Sequence, residues 1–367
     1  MLAGRRGCLI LILFFGLVAP SALPAQENPP SEAESAFENA SAKLDAFNRK
    51  HSRVFDGGRV PIHYLDWENK GVPLILLHGT YSTAHDFVRF APQLIKAGYR
   101  PISVDWYGHG QTAIPKPPVS ASDFGDDLRK LLDSLSIKKA VIAGHSRGGA
   151  LATAFYKTYP NRVLGVALID GGSTCVADYF ASLGESHLRD WIKSGFDEKT
   201  GRPLAPTHES LKELFAATWE RFGRPSDPTE MFDVLSQSSQ NANGRWTRWR
   251  QPLKEWLGQD TFENTFHGML NPKGGAPFFA STVLLEPIDA YENLTVPVLI
   301  LDAIGSNDGY RDVTPTEHNK QMQRLHPDLV ELVEVRAGHF IHREKPDFFV
   351  SKLSLFKERV IDHAKEN

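Results

Sequence analysis

Ser146 lies in the stretch VIAGHSRGGALA (residues 141–152), with a glycine two places before it and another two places after it. An apolar run leads in and an alanine-rich segment leads out, so the pattern predicts a strand turning directly into a helix. Such a corner strains its central residue, and the flanking positions collide unless they lack side chains. The corner's use is to expose a hydroxyl. A serine hydroxyl is a weak nucleophile at neutral pH and needs a base to take its proton. His339, in VRAGHFIHREKPDFF, falls in a loop between the run LVELVEV and the last helical segment, where it can serve. His342 is a rival, but it stands beside Arg343 and Glu344 at the start of that helical region. The two histidines have no evident third ligand nearby, so no metal and no cofactor is expected.

An imidazole acting as base needs a carboxylate to fix its tautomer and steady its protonated form. Four aspartates end or follow strand-like runs: Asp170, Asp302, Asp308 and Asp312. Asp308, in GSNDGYRD, is preferred because it lies several residues past its strand, with the reach to meet His339. Acyl transfer also creates a negative oxygen that needs hydrogen-bond donors. The backbone N–H of Arg147, at the start of the helix behind the serine, supplies one. The turn after LILLHG supplies the other at Thr80.

These residues require a scaffold that brings distant loops to one edge. The apolar runs VPLILLHG, YRPISVDW, KKAVIAGH and RVLGVALIDGG alternate with segments of helical spacing such as FVRFAPQLIKAG and DFGDDLRKLLDSL. That alternation argues for a mostly parallel, doubly wound α/β sheet covered by helices on both faces. RVFDGGRVPIHYLDW, with Gly57-Gly58 between two short runs, reads as a hairpin ahead of it. The rhythm stops after Gly172 and resumes at VPVLILD, so residues 173–290 are read as an inserted helical lid. This block holds five of the seven tryptophans. Most of these rings would pack the block itself. Trp246 and Trp249 are the candidates for substrate contact, which would favour an apolar acyl or aromatic group.

The chain has 367 residues and a formal net charge of -3, with acidic and basic residues mixed throughout. No clustered basic face is present to hold nucleic acid. Residues 1–25 combine Arg5-Arg6, an apolar run from Cys8 to Ala19 and a small-residue end, the layout of a secretory signal peptide processed after Ala25. The expectation is therefore a secreted or periplasmic protein that keeps Cys175 as its single cysteine and has no internal disulfide. Residues 26–51 read as a linker running into an amphipathic helix, residues 52–172 as the first part of the core and residues 291–367 as the second. Oligomeric state is not legible.

The chain resembles the α/β-hydrolase superfamily, in its capped serine-nucleophile, esterase-like branch. The resemblance spans about Ser52 to Gly172 and Val296 to the C-terminus, and rests on LLHGT (residues 76–80), DWYGHG (105–110), GHSRGG and AGHF in that order. It implies Ser146 as nucleophile, His339 as base, Asp308 as acid, and Thr80 with Arg147 as backbone oxyanion donors. The implied activity is hydrolysis of a carboxylic ester or related acyl bond in a small molecule, without metal or cofactor. The same residues could serve a lactonase, acyltransferase, peptidase, C–C hydrolase or perhydrolase, or survive in a non-catalytic binding protein of this fold. An aspartate would stand at residue 146 in the relatives that open epoxides or carbon–halogen bonds, and Ser146 argues against both.

Overall fold

The computed structural model describes residues 30–366, apart from 117, 194–205, 242, 249–253, 255, 259 and 306–315. The hairpin turning at Gly57-Gly58 joins β1 (Ser52–Phe55) to β2 (Ile62–Asp66). β3 (Val72–Leu77), β4 (Tyr99–Val104), β5 (Ala140–His145) and β6 (Val163–Ile169) follow from the four apolar runs. A two-stranded hairpin, β7 (Ser239–Gln240) and β8 (Trp246–Thr247), interrupts the series. β9 (Val298–Ala303) and β10 (Val330–Val335) complete it.

Eight of these strands form one sheet in the order β1-β2-β4-β3-β5-β6-β9-β10. β2 pairs antiparallel with β1 and β4, whereas every pairing from β4 through β10 is parallel. Parallel strands need crossover connections, and the helices that make them cover both faces. Alternate residues of a strand therefore enter different cores: Ile75 and Ile142 pack on one face, Leu74, Leu76 and Val141 on the other.

Helix α1 (Pro30–His51) precedes the sheet, and α2 (Ala91–Lys96) and α3 (Ala121–Ser134) lie within it in sequence. α3 begins at a reciprocal cap: the Ser120 hydroxyl accepts from the Asp123 N–H while the Asp123 carboxylate accepts from the Ser120 N–H at 2.8 Å. α4 (Arg147–Thr158) starts directly at Ser146. Between β6 and β9 the chain is mainly helical: α5 (Val176–Leu183), α6 (Glu185–Lys193), α7 (Leu211–Arg221) and α8 (Phe232–Gln237) come before the small hairpin, with further helices at Phe262–Leu270 and Pro277–Val283 after it.

Among the described residues, the apolar side chains of this block fall into separate clusters. Phe180, Leu188, Phe266 and Phe279 join α5, α6 and the two later helices in one cluster. Leu214, Phe215, Met231 and Val234 form another with Ala40 of α1. The amphipathic N-terminal helix thus packs against part of the insertion. No helix among the described residues is long and apolar enough to cross a membrane.

Candidate active site

Because β3, β5, β6 and β10 run parallel, the loops that leave their C-terminal ends meet at one edge of the sheet. Ser146 leaves β5 with φ 54° and ψ -121°, outside helix and strand conformations. Its N–H donates to the Ile169 carbonyl at 3.0 Å, tying the bend to the end of β6. The glycines around it are there for space. A Cβ on Gly144 would lie 2.1 Å from the Gly148 carbonyl oxygen, and one on Gly148 would lie 2.2 Å from that of Leu77. Backbone oxygens cannot swing aside, so the bend closes only with hydrogen at both positions.

His339 follows β10 and places its Nδ1 2.5 Å from Oδ2 of Asp170. An ionised carboxylate can only accept, so Nδ1 is the donor in this contact. Asp170 is fixed twice over: its N–H donates to the Leu301 carbonyl at 2.8 Å, and its Oδ1 accepts from the Ala303 N–H at 3.0 Å. Its backbone stands at φ 48°, a strained value for a residue that is not glycine. Among the described residues, the carboxylate that meets His339 is Asp170, at the end of β6, one of the four aspartates the sequence offered and not the preferred one. Asp308 and Asp312 lie outside the described residues. Asp302 is buried at the end of β9.

Two groups that the sequence reading did not assign hold the histidine loop. His145, just before the serine, donates from Nε2 to the His339 carbonyl at 2.9 Å. Burial, reinforced by His339 and His342, holds its pKa well below the usual histidine value, so it is neutral. His342 is buried and donates from Nε2 to Asp86 at 3.2 Å, which removes it as a rival base. Asp86, His145 and His342 could bring three metal-ligating atoms within 4.8 Å of one another. Asp86 is already bound by the Arg343 guanidinium at 2.5 Å, so a cation there would have to displace Arg343.

The turn carrying Thr80 is shaped by the DWYGHG stretch. Asp105 accepts from the Ala84 N–H at 2.6 Å, the Gln111 N–H at 3.0 Å and His63 Nδ1 at 2.7 Å. Burial alone would raise this carboxyl; His63, His78 and the Ala84 N–H outweigh it and hold the pKa far below the usual range. Trp106 donates to the His78 carbonyl at 2.9 Å, and the Tyr81 N–H donates to His109 at 3.1 Å. These bonds bring the turn against the bend: a Cβ on Gly79 would sit 3.3 Å from that of Ser146.

Ser146, His339, Asp170, Thr80 and Arg147 line one cavity of about 570 Å³. The insertion contributes Val176, Tyr179, Phe180 and Val283 to its wall. Trp246 is not among the lining residues; it packs beside the cluster of Leu214, Phe215 and Trp219, where β8 pairs with β7. The sequence expectation of substrate contact there is corrected accordingly. Trp249 lies outside the described residues. Cys175 is buried, and burial lifts its thiol pKa to about 12, consistent with packing alone.

A bend that exposes a serine, a carboxylate-held histidine and the parallel sheet beneath them coincide with a match to the Alpha/beta hydrolase family model over residues 74–352. The chain belongs to this family. One relative, an sn-1-specific diacylglycerol lipase of Danio rerio, is 26% identical over 86% of this chain and 87% of its own length. Another, a 2-(acetamidomethylene)succinate hydrolase of Mesorhizobium japonicum, is 24% identical over 83% of this chain and 94% of its own. Among solved structures, a crystal structure of E-2-(acetamidomethylene)succinate hydrolase superposes with a TM-score of 0.57 at 22% identity, covering 84% of this chain and 98% of that one. This likeness shows the shared fold. The family and these relatives make the chain a hydrolase homologue.

Proposed function

We propose that this protein hydrolyses a carboxylic ester or a related acyl bond, such as a lactone or thioester, in a small molecule. The observation that carries the reading is His339: its Nδ1 meets Asp170 at 2.5 Å, and the residue lines the cavity that Ser146 also lines. Ser146 Oγ attacks the carbonyl carbon while His339 Nε2 takes its proton, and Asp170 steadies the resulting imidazolium. The carbonyl π electrons move onto oxygen, which accepts from the N–H groups of Thr80 and Arg147. When the carbonyl re-forms, the leaving group departs with the proton from His339. Water then enters, gives its proton to the same nitrogen and releases the acid, restoring the serine.

The helices between β6 and β9 act as the lid, and their apolar side chains in the wall suit an apolar substrate body. The basic and apolar pattern of residues 1–25 supports export. A fluorophosphonate probe should label the wild-type protein and leave Ser146→Ala unlabelled. Turnover of 4-nitrophenyl esters or lactones should fall by about 10⁶-fold in that variant. Retention of a tenth of the activity in Ser146→Ala would overturn the mechanism.

A further inference from the structure

The backbone of Arg147 serves the bend, but its side chain has a separate situation. The residue is 9% exposed and lines the cavity immediately after Ser146. Its Nε donates to the Thr80 hydroxyl at 2.8 Å, and its Nη1 donates to the Thr282 hydroxyl. The Phe279 ring lies 5.0 Å beneath the guanidinium carbon. Every one of these partners is neutral. Burial draws the guanidinium pKa down to about 10; the Tyr81 hydroxyl opposes that shift, and no carboxylate among the described residues does.

Arg343, Arg89 and Arg248 in the same wall each have a carboxylate within 4.0 Å. Arg343 contacts Asp86 at 2.5 Å and Asp233 at 2.9 Å. Arg89 reaches Glu230 at 3.3 Å. Asp233 also stands 4.0 Å from Arg248. A buried cation without a counter-ion is costly, and a chain that keeps one beside its nucleophile gains if an anion arrives with the ligand. Arg147 is built for that task. Thr80 holds it from the turn after β3 and Thr282 from the helix Pro277–Val283, which fixes the plane of the guanidinium. Among the described residues no acceptor meets Nη2, the edge a carboxylate would use.

We propose that the Arg147 side chain recognises a carboxylate on the substrate, so that the acyl compounds taken by this site are acids and half-esters in preference to neutral esters. The inference rests on the acyl-hydrolysis reading for its turnover test, and adds to it the charge of the substrate. An apolar body is compatible with it, because the aliphatic wall and the guanidinium line the same space.

The test compares 4-nitrophenyl hydrogen glutarate and 4-nitrophenyl hydrogen adipate with their methyl-capped diesters, which differ by one charge. Wild-type kcat/KM should favour at least one free acid over its capped partner by about tenfold or more. Arg147→Met should bring that ratio to about one, and Arg147→Lys should keep part of it. A purely bracing role for the side chain would lower both rates by the same factor and leave the ratio unchanged, which would overturn the proposal, as would a wild-type enzyme indifferent to capping. Calorimetric titration with glutarate and adipate provides the arm that needs no turnover. Arg147-dependent binding in a protein that hydrolyses none of the esters would retain the anion site and reject acyl hydrolysis; failure of both dianions to bind the wild type would reject the anion site itself.

Discussion

A carboxylate supports a catalytic imidazole only if it holds one tautomer through the whole cycle, so its identity is a question of single atoms. Asp170 meets that demand with two backbone bonds on its own frame and one contact to His339. Asp170→Asn should therefore lower kcat by about 10⁴-fold with little change in KM, whereas Asp308→Asn should lower it by less than about tenfold. Steady-state kinetics on one ester separates them, and the reverse ranking would return the role to the loop after β9. Ser146, His339, Thr80 and Arg147, which glycine spacing and strand ends mark in the sequence, line one cavity. On sequence alone Asp308 is preferred, because reach is judged by loop length. The contact the structure describes comes from Asp170 at the end of β6, and the positive φ that places it leaves no mark in the sequence. His145 was passed over for a similar reason: its role is to hold a carbonyl 194 positions away, a partnership no local pattern announces.

At the level of elements, the bend between β5 and α4 is a packing problem with a measurable answer. Gly148→Ala should destabilise the protein by about 1–3 kcal/mol or more, because the new methyl would meet the carbonyl oxygens of Leu77 and His78 at 2.2 and 2.6 Å. Gly125→Ala should do the opposite. That glycine lies inside α3 at an ordinary backbone angle, and its Cβ would meet only Phe155 Cδ2 at 3.8 Å. A gain of about 0.5–1 kcal/mol is expected from the lost chain entropy of the unfolded state. Denaturant midpoints for both variants test the pair, and equal effects would mean that close approach is not what the elbow glycines provide. The strands were legible throughout, since runs apolar on both faces at the spacing of crossover helices leave little else for the chain to do. The insertion was legible only as helical. Trp246 illustrates the limit: composition shows that a large ring must be buried, but not whether it faces the cavity or the cluster beneath α1 and α7.

Across the whole molecule, one ionic network joins three parts of the chain that meet around the cavity. Asp233 of α8 accepts from the Ser82 hydroxyl at 2.7 Å and the Thr83 N–H at 2.8 Å, both in the loop after β3. Its other oxygen accepts from Arg343, in the segment after His339, at 2.9 Å. Arg343 also donates from Nε to Asp86 at 2.7 Å. Burial would raise the Asp86 carboxyl, but Arg343 and His342 outweigh it and hold its pKa well below the usual value. A depressed carboxylate contributes stability that is present above the unfolded-state pKa, about 3.9, and is lost as pH falls from there toward the folded value. Asp86→Asn should cost about 3 kcal/mol at pH 7, because it takes the buried partner from a pair whose guanidinium is itself half-buried. Below about pH 4 the gap between wild type and variant should narrow, since protonation of the unfolded chain begins to remove the same contribution. Urea unfolding at steps from pH 7 to pH 3 measures that gap directly. A gap that stays constant over the whole range would show that Asp86 acts through packing and that charge does not fasten the insertion to the sheet.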